Sequence, residues 1–167
     1  MEPRRNVGAM APWWRGARGE WYVVAQVVLM ALIFLGPRSL PGLPRWPSRP
    51  IVVGVGLLLI VVGGLFFSAA VFGLGRNLTP LPHPKADATL TTTGPYRLVR
   101  HPIYCGGLVI SFGWALLVHS WTTLLFALLL LLLFDRKARR EERWLEEKFP
   151  GYAAYRRRVR RLIPFVY

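Results

Sequence analysis

The chain has 167 residues, a length that suits one domain. Hydrophobic residues make up 53% of it and charged residues only 18%, against roughly 25% charged residues in a soluble domain. The net charge of +14 would suit a nucleic acid partner. Nucleic acid binding does not explain the long uncharged apolar blocks, however, whereas an anionic membrane surface accounts for both features. We therefore expect an integral membrane protein without a nucleic acid partner.

The first segment, residues 1–20, is basic and contains prolines and two adjacent tryptophans, Trp13 and Trp14. We interpret it as a tail at the membrane–water boundary. No small-residue cleavage pattern follows it, so residues 21–35 are expected to be a retained first span, although this stretch is short for about 30 Å of hydrocarbon. Five prolines between residues 36 and 50 then exclude a helix.

Residues 51–74 contain no charged side chain and are long enough for a second span. Four glycines in it, Gly54, Gly56, Gly63 and Gly64, either let a neighbouring helix approach closely or are merely tolerated. Residues 75–102, which we call the connector, are polar. They are too long and too patterned for a plain linker, and such loops usually carry function or are disordered.

Residues 103–134 are apolar except near His119, which we expect to mark a turn on the outer side of the membrane. Their length is too great for one span and suits a helical hairpin of two short ones, with the turn near residues 118–121. The sequence therefore predicts a single-domain, all-α integral membrane protein with about four transmembrane helices, the last two forming the hairpin.

The last segment, residues 135–167, is strongly basic. Its first part reads as a helix that continues out of the fourth span to about Phe149, where Pro150 and a glycine break it. Apolar residues then recur at helical spacing from Tyr152 to Leu162, which predicts a second amphipathic helix that ends at Pro164.

The basic residues indicate the orientation in the membrane. Of the 22 lysines and arginines, nineteen lie in the N-terminal tail (four), the connector (four) and the last segment (eleven). Four spans would put these three segments on one side, which the excess of positive charge predicts to be the cytoplasm. We therefore expect both termini to be cytoplasmic.

A polar motif, residues 94–104, leads from the connector into the third span. Taken alone, its tyrosines, arginines and prolines are typical of an interfacial anchor. His101, however, stands at the start of a helix, where free backbone N–H groups attract an anion such as a cofactor carboxylate. One cysteine, Cys105, and three scattered histidines predict no disulfide and no metal site.

A pair of carboxylates, Glu141 and Glu142, lies within the basic helix that follows the fourth span. In one interpretation, the pair forms salt bridges along the helix, for example from Glu142 to Arg139. Alternatively, one carboxylate binds a cationic group of a ligand. The residues alone leave both interpretations open.

These motifs resemble a known family. The run from Arg100 to Tyr104, preceded by Gly94-Pro95-Tyr96, resembles the signature of isoprenylcysteine carboxyl methyltransferases and related phospholipid methyltransferases. The glutamate pair and the aromatic residues after it resemble the C-terminus of the same family, and residues 77–80 resemble bacterial members. The resemblance implies an enzyme of the bacterial inner membrane that uses S-adenosylmethionine, bound at the cytoplasmic mouth of the hairpin. The cofactor-binding residues that it implies are Tyr96, Arg100, His101, Pro102, Tyr104, Glu141, Glu142, Tyr152 and Tyr155, with Phe149 in the aromatic wall.

The resemblance also bears on the methyl acceptor. A carboxylate with a pKa near 4 is already ionised at neutral pH and needs no general base, but a cation would hold it in place. The family often has an arginine four residues before the glutamate pair, where this chain has Lys137. Lys137 and Arg140 are therefore our candidate catalytic residues. We expect a lipophilic acceptor, with an isoprenylcysteine-like carboxylate as the first candidate. The alternatives are N- or O-methylation of a phospholipid or other small lipid, and a non-enzymatic basic membrane anchor or interaction protein.

Overall fold

A computed structural model describes residues 19–39, 46, 49–164 and 166. Within these ranges the regular elements are helices: α1 (Glu20–Leu35), α2 (Pro50–Leu74), α3 (Pro102–Leu117), α4 (Trp121–Lys148), α5 (Tyr152–Arg158) and two short 3-10 turns (Gly75–Asn77 and Gly94–Arg97). Nearly all of the predicted basic tail, including Trp13 and Trp14, lies outside the described residues, as do most of the proline-rich loop and Phe165.

Local chemistry sets the helix ends. Pro50 and Pro102 stand in the first turns of α2 and α3, where the missing N–H of proline costs no helical hydrogen bond. Between α3 and α4 the chain turns at His119, which has a left-handed φ of 51°. Ser120 then caps α4, because its side chain accepts a hydrogen bond of 3.0 Å from the backbone N–H of Thr123. The turn lies where the sequence predicted one.

Glycines allow α2 and α3 to pack with their backbones almost in contact. A Cβ atom built on Gly56 would lie 2.8 Å from the carbonyl oxygen of Gly113, and one built on Gly63 would lie 3.0 Å from the backbone nitrogen of Ile110. Gly54 and Gly64 have open space beside them. Of the two interpretations of these glycines, close helix approach therefore holds for Gly56 and Gly63 and not for the other two.

Helix α4 packs against both α1 and α3. The buried residues Ile33, Leu108, Leu130 and Phe134, one or two from each of these helices, form the apolar core. The indole Nε1 of Trp114 donates a hydrogen bond of 3.0 Å to the carbonyl oxygen of Ile33 and so ties α3 to α1. The three helices form one packed unit, and α2 packs against this unit mainly through α3.

One helix, α2 with the turn that follows it (Pro50–Asn77), is long and apolar enough to cross a membrane. Helices α1 and α3 are apolar but have only 16 residues each. Helix α4 is apolar up to Phe134 and strongly charged beyond it. The all-helical class is confirmed, whereas the number of four spans stays a prediction.

The predicted C-terminal amphipathic helix is wrong in its second half. Helix α5 ends at Arg158, and Val159 is extended with φ −118° and ψ 136°. The reason is a long-range pairing: the carbonyl oxygens of Arg160 and Arg161 accept hydrogen bonds from the backbone N–H groups of Arg100 (2.8 Å) and His101 (3.1 Å). This pairing with the end of the connector overrides the helical spacing of the apolar residues.

Candidate active site

The connector is folded on itself by one side chain, Asn77. Its Nδ2 donates to the carbonyl oxygen of Thr89 (3.0 Å) and to Oγ1 of Thr91 (3.2 Å), and its Oδ1 accepts from the N–H of Thr89 (3.1 Å). From α4, Lys148 donates to the carbonyl oxygens of Lys85 and Ala86. These bonds hold the connector over the charged half of α4.

A cavity of about 320 Å³ lies under the connector. Its wall combines residues along most of the connector, the end of α2, the first turn of α3, the charged half of α4, helix α5 and one residue of α1, Gln26. Nine of the residues proposed from the sequence line it: Tyr96, Arg100, His101, Pro102, Tyr104, Lys137, Glu141, Tyr152 and Tyr155. Phe149 also lines it. The structure thus brings together two motifs that lie some forty residues apart in the sequence.

Glu142 lies beneath this wall and is 2% exposed. Its carboxylate accepts hydrogen bonds from Arg100 Nε (2.8 Å) and Arg161 Nη2 (3.0 Å), and His101 Nε2 lies 3.3 Å from it. Burial alone would raise the pKa of Glu142, but the hydrogen bonds from His101, Arg161 and Arg100 outweigh it and hold the pKa well below its usual range. Glu142 therefore joins the connector, α4 and the C-terminal strand-like segment. Arg139, which the sequence suggested as its helical partner, pairs with Asp135 at 2.8 Å.

Glu141 is the carboxylate that faces the cavity. It accepts a hydrogen bond of 2.8 Å from the hydroxyl of Tyr104, and His101 Nδ1 lies 3.7 Å from the same oxygen. The ring of Tyr104 is stacked on that of His101, with centroids 5.3 Å apart. These contacts fix the carboxylate and leave it on the cavity wall. Of the glutamate pair, Glu141 is thus placed to meet a ligand and Glu142 to support the wall.

The two candidate catalytic cations differ in their surroundings. Lys137 is 2% exposed and lines the cavity. Its Nζ donates to Gln26 Oε1 (2.7 Å) and to the carbonyl oxygen of Pro80 (3.2 Å) and lies 5.1 Å from the centroid of the Tyr104 ring. Burial lowers the pKa of Lys137, a shift that Glu141 opposes.

Arg140, in contrast, is not part of the cavity wall among the described residues. Its guanidinium lies over the rings of Tyr22 and Trp144, 5.9 Å and 5.1 Å from their centroids. Because α4 turns by about 100° per residue, Lys137 and Arg140 project from neighbouring but different parts of its surface. Of the two candidate cations, Lys137 is therefore the one that lines the cavity in the described part of the chain.

Aromatic residues close the remaining side. The hydroxyl of Tyr155 donates to the carbonyl oxygen of Tyr96 (2.5 Å), and burial raises the pKa of Tyr155 to about 12. Tyr152 is 1% exposed, and its buried hydroxyl has no hydrogen-bond partner within the described part of the chain. A buried hydroxyl without a partner costs free energy, so this group at the cavity wall is suited to a bound ligand.

Sequence reasoning missed Gln26. It is the one amide in the apolar sequence of α1. A polar side chain inside a predicted membrane span is a functional candidate by default, since its burial in lipid is costly, and this signal was available in the sequence. Its contact with Lys137, which lies 111 residues away in the chain, could not be predicted from the sequence.

Comparison with known proteins identifies the family. A family model described as phospholipid methyltransferase matches residues 51–151, more than half of the chain. A cobalt-zinc-cadmium resistance protein of Cupriavidus metallidurans is 32% identical over 153 residues, which are 87% of this chain and 62% of that protein. Protein-S-isoprenylcysteine O-methyltransferase A of Arabidopsis thaliana is 34% identical over 132 residues, 75% of this chain and 64% of the relative.

The fold is also similar to that of a solved structure, the eukaryotic intramembrane Ras methyltransferase, an isoprenylcysteine carboxyl methyltransferase. The TM-score is 0.63 at 22% identity, and the match covers 96% of this chain and 55% of the other. This chain thus spans a little under two thirds of the length of the two relatives and about half of that structure. The resemblance stated from the motifs is confirmed. The chain belongs to the phospholipid methyltransferase family.

Proposed function

We propose that the protein is a membrane methyltransferase that binds S-adenosylmethionine in the cavity under the connector and methylates a lipid-soluble acceptor. The observation that carries this proposal is the convergence of both sequence motifs on one cavity of about 320 Å³, within the size range of small-molecule sites. A basic membrane anchor would need neither this cavity nor a buried, partnerless hydroxyl at its wall.

The donor and acceptor groups of the wall fit the cofactor. Glu141 would hold its ammonium group. The backbone N–H groups of Ile103 and Tyr104, in the first turn of α3, have no partner within the helix and would hold its carboxylate, as such groups favour anions. Tyr152 and Phe149 would pack on its apolar parts, with the Tyr152 hydroxyl available for a hydrogen bond. When bound, the cofactor supplies an electrophilic methyl group on a sulfonium.

The chain's own residues then have to bind and orient the acceptor rather than activate it. A carboxylate acceptor is ionised at neutral pH, so the site needs a cation to hold it and the exclusion of water. Lys137 is that cation in our proposal, and the apolar surroundings of the site keep water out. An isoprenylcysteine-like carboxylate is therefore our best candidate for the acceptor.

The test is methyl transfer in proteoliposomes from S-adenosylmethionine with a radiolabelled methyl group. N-acetyl-S-farnesylcysteine and phosphatidylethanolamine serve as competing acceptors. We expect base-labile label on the farnesylcysteine derivative, as a methyl ester. Base-stable label on phosphatidylethanolamine would instead assign the alternative, an amine acceptor. No label on either, or on total lipid extract, would contradict the proposed activity.

We further propose four spans in the bacterial inner membrane with both termini in the cytoplasm. The uneven distribution of the basic residues supports this orientation. A chain with Cys105→Ser and either Ser39→Cys, after α1, or Asp87→Cys, in the connector, can be labelled with an impermeant maleimide. We expect labelling of the first in intact spheroplasts and of the second only after lysis. The reverse pattern would overturn the orientation.

A further inference from the structure

Helix α1 contributes one polar side chain to the cavity. The region matched by the family model begins at residue 51, so α1 lies outside it. Gln26 of α1 nevertheless lines the cavity, and its Oε1 accepts a hydrogen bond of 2.7 Å from Lys137 Nζ. The wall of the site is therefore completed by a helix that the family motifs do not include.

The basic side chains of the wall are not compensated equally. Arg100 pairs with Glu142 at 2.8 Å, and His101 lies 3.3 Å from Glu142 and 3.7 Å from Glu141. Lys137, within the described residues, has no carboxylate at ion-pair distance and bonds to two neutral oxygens instead. A buried cation without a counterion is unfavourable, so an anion that enters the cavity finds Lys137 as the group that still lacks one.

The group that accepts the hydrogen bond from Lys137 affects whether the charge of the ammonium group stays available to a ligand. An amide oxygen directs the ammonium group but leaves its charge intact, whereas a carboxylate at the same place would neutralise it. An apolar residue there would leave one N–H of the ammonium group without an acceptor. Glutamine is thus suited to holding a lysine in place as a cation.

On the basis of the proposed function, we infer that Gln26 is a positioning residue that keeps Lys137 available as a cation and so makes the site distinguish an acidic acceptor from its methyl ester. Methylation of a carboxylate forms one O–CH3 bond and breaks the S–CH3 bond of the sulfonium, so that the cofactor leaves as the neutral thioether S-adenosylhomocysteine. The step releases no proton and removes the negative charge of the acceptor. The lysine attracts the charged substrate and has no such attraction to the neutral product. The same pair would therefore favour binding of the acid and release of the ester.

The experiment measures the dissociation constants of N-acetyl-S-farnesylcysteine and of its methyl ester for the full-length protein in detergent, without turnover. For the natural sequence we expect the acid to bind about tenfold or more tightly than the ester, from a charge-assisted hydrogen bond. Gln26→Met and Gln26→Glu should both bring this ratio close to one. Val27→Met, a change at an exposed neighbour on the same helix, should leave it unchanged.

The methionine variant separates positioning from mere support of the fold. If Gln26 only stabilised the helix packing, Gln26→Met would lower the Tm and leave the preference for the acid intact, because Lys137 would keep its charge and its place. In a Lys137→Met background, the Gln26→Met change should have no further effect on the ratio, because the two residues act as a unit.

The outcomes distinguish failure of the inference about Gln26 from failure of the proposed methyltransferase function. Equal binding of acid and ester by the natural sequence, binding of neither, or a ratio that Gln26→Met or Gln26→Glu leaves intact would overturn the inference. A further outcome is a ratio of the two dissociation constants that changes in the Gln26 variants of a protein that transfers no methyl group to any acid. That result would overturn the proposed function but would still support Gln26 and Lys137 as a pair that binds an anion.

Discussion

Replacement of Glu142 by glutamine should destabilise the structure that supports the site rather than simply weaken a ligand contact. The side chain is 3% exposed and accepts hydrogen bonds from Arg100 and Arg161, with His101 close to the same carboxylate. Removal of one partner from a buried ion pair costs about 3–5 kcal/mol, because the other charges stay buried without compensation. An exposed pair is worth about 0–1 kcal/mol.

Glu146→Gln is the matched control. Glu146 lies one turn further along α4 and pairs with Arg156, at the surface. For a domain of this size, about 1 kcal/mol corresponds to a shift of roughly 2–4 °C in Tm. We therefore expect thermal unfolding in detergent to occur about 6–20 °C lower for Glu142→Gln and less than about 4 °C lower for Glu146→Gln. Equal shifts for the two variants would refute the assignment of Glu142 as the support of the site.

The remaining predictions concern the cavity wall and the effect of pH. Glu141→Gln should weaken binding of S-adenosylhomocysteine in calorimetry by about 10- to 150-fold, the loss of a charge-assisted hydrogen bond, with little change in Tm. Since the pKa of Glu142 is lowered in the folded state, its contribution to stability is full above a pH of roughly 4.3 and is lost below it; the Tm difference between the natural protein and Glu142→Gln should therefore narrow as the pH falls through that value. Since burial lowers the pKa of Lys137, affinity for N-acetyl-S-farnesylcysteine should fall as the pH rises, at values below the usual lysine pKa of about 10.4. Lys137→Arg should abolish that fall, because arginine keeps its charge. A Lys137→Arg variant whose affinity falls with pH as in the natural protein would contradict the role of Lys137.

Periodicity and local signals predicted the helices well. The long uncharged block of α2, the apolar hairpin and the turn at His119 all follow from composition and from helix-breaking residues over short distances. The family motifs also indicated which segments would meet, and nine of the residues that they marked line one cavity.

What the sequence could not supply were contacts between distant segments. The spacing of apolar residues after Tyr152 favoured a longer helix, but pairing of residues 160 and 161 with the connector ends it at Arg158. Likewise, two adjacent glutamates of α4 looked equivalent in the sequence. Only the arginines from the connector and from the C-terminal segment show that Glu142 is internally paired, whereas Glu141 faces the cavity.

The most direct test of the account is calorimetric titration of the purified, folded protein with S-adenosylhomocysteine. We predict saturable binding at one site without added metal, weakened by about tenfold or more in Glu141→Gln and unchanged in Glu146→Gln. Absence of binding to the natural protein, or equal affinity in both variants, would contradict the claim that the cavity under the connector is the cofactor site.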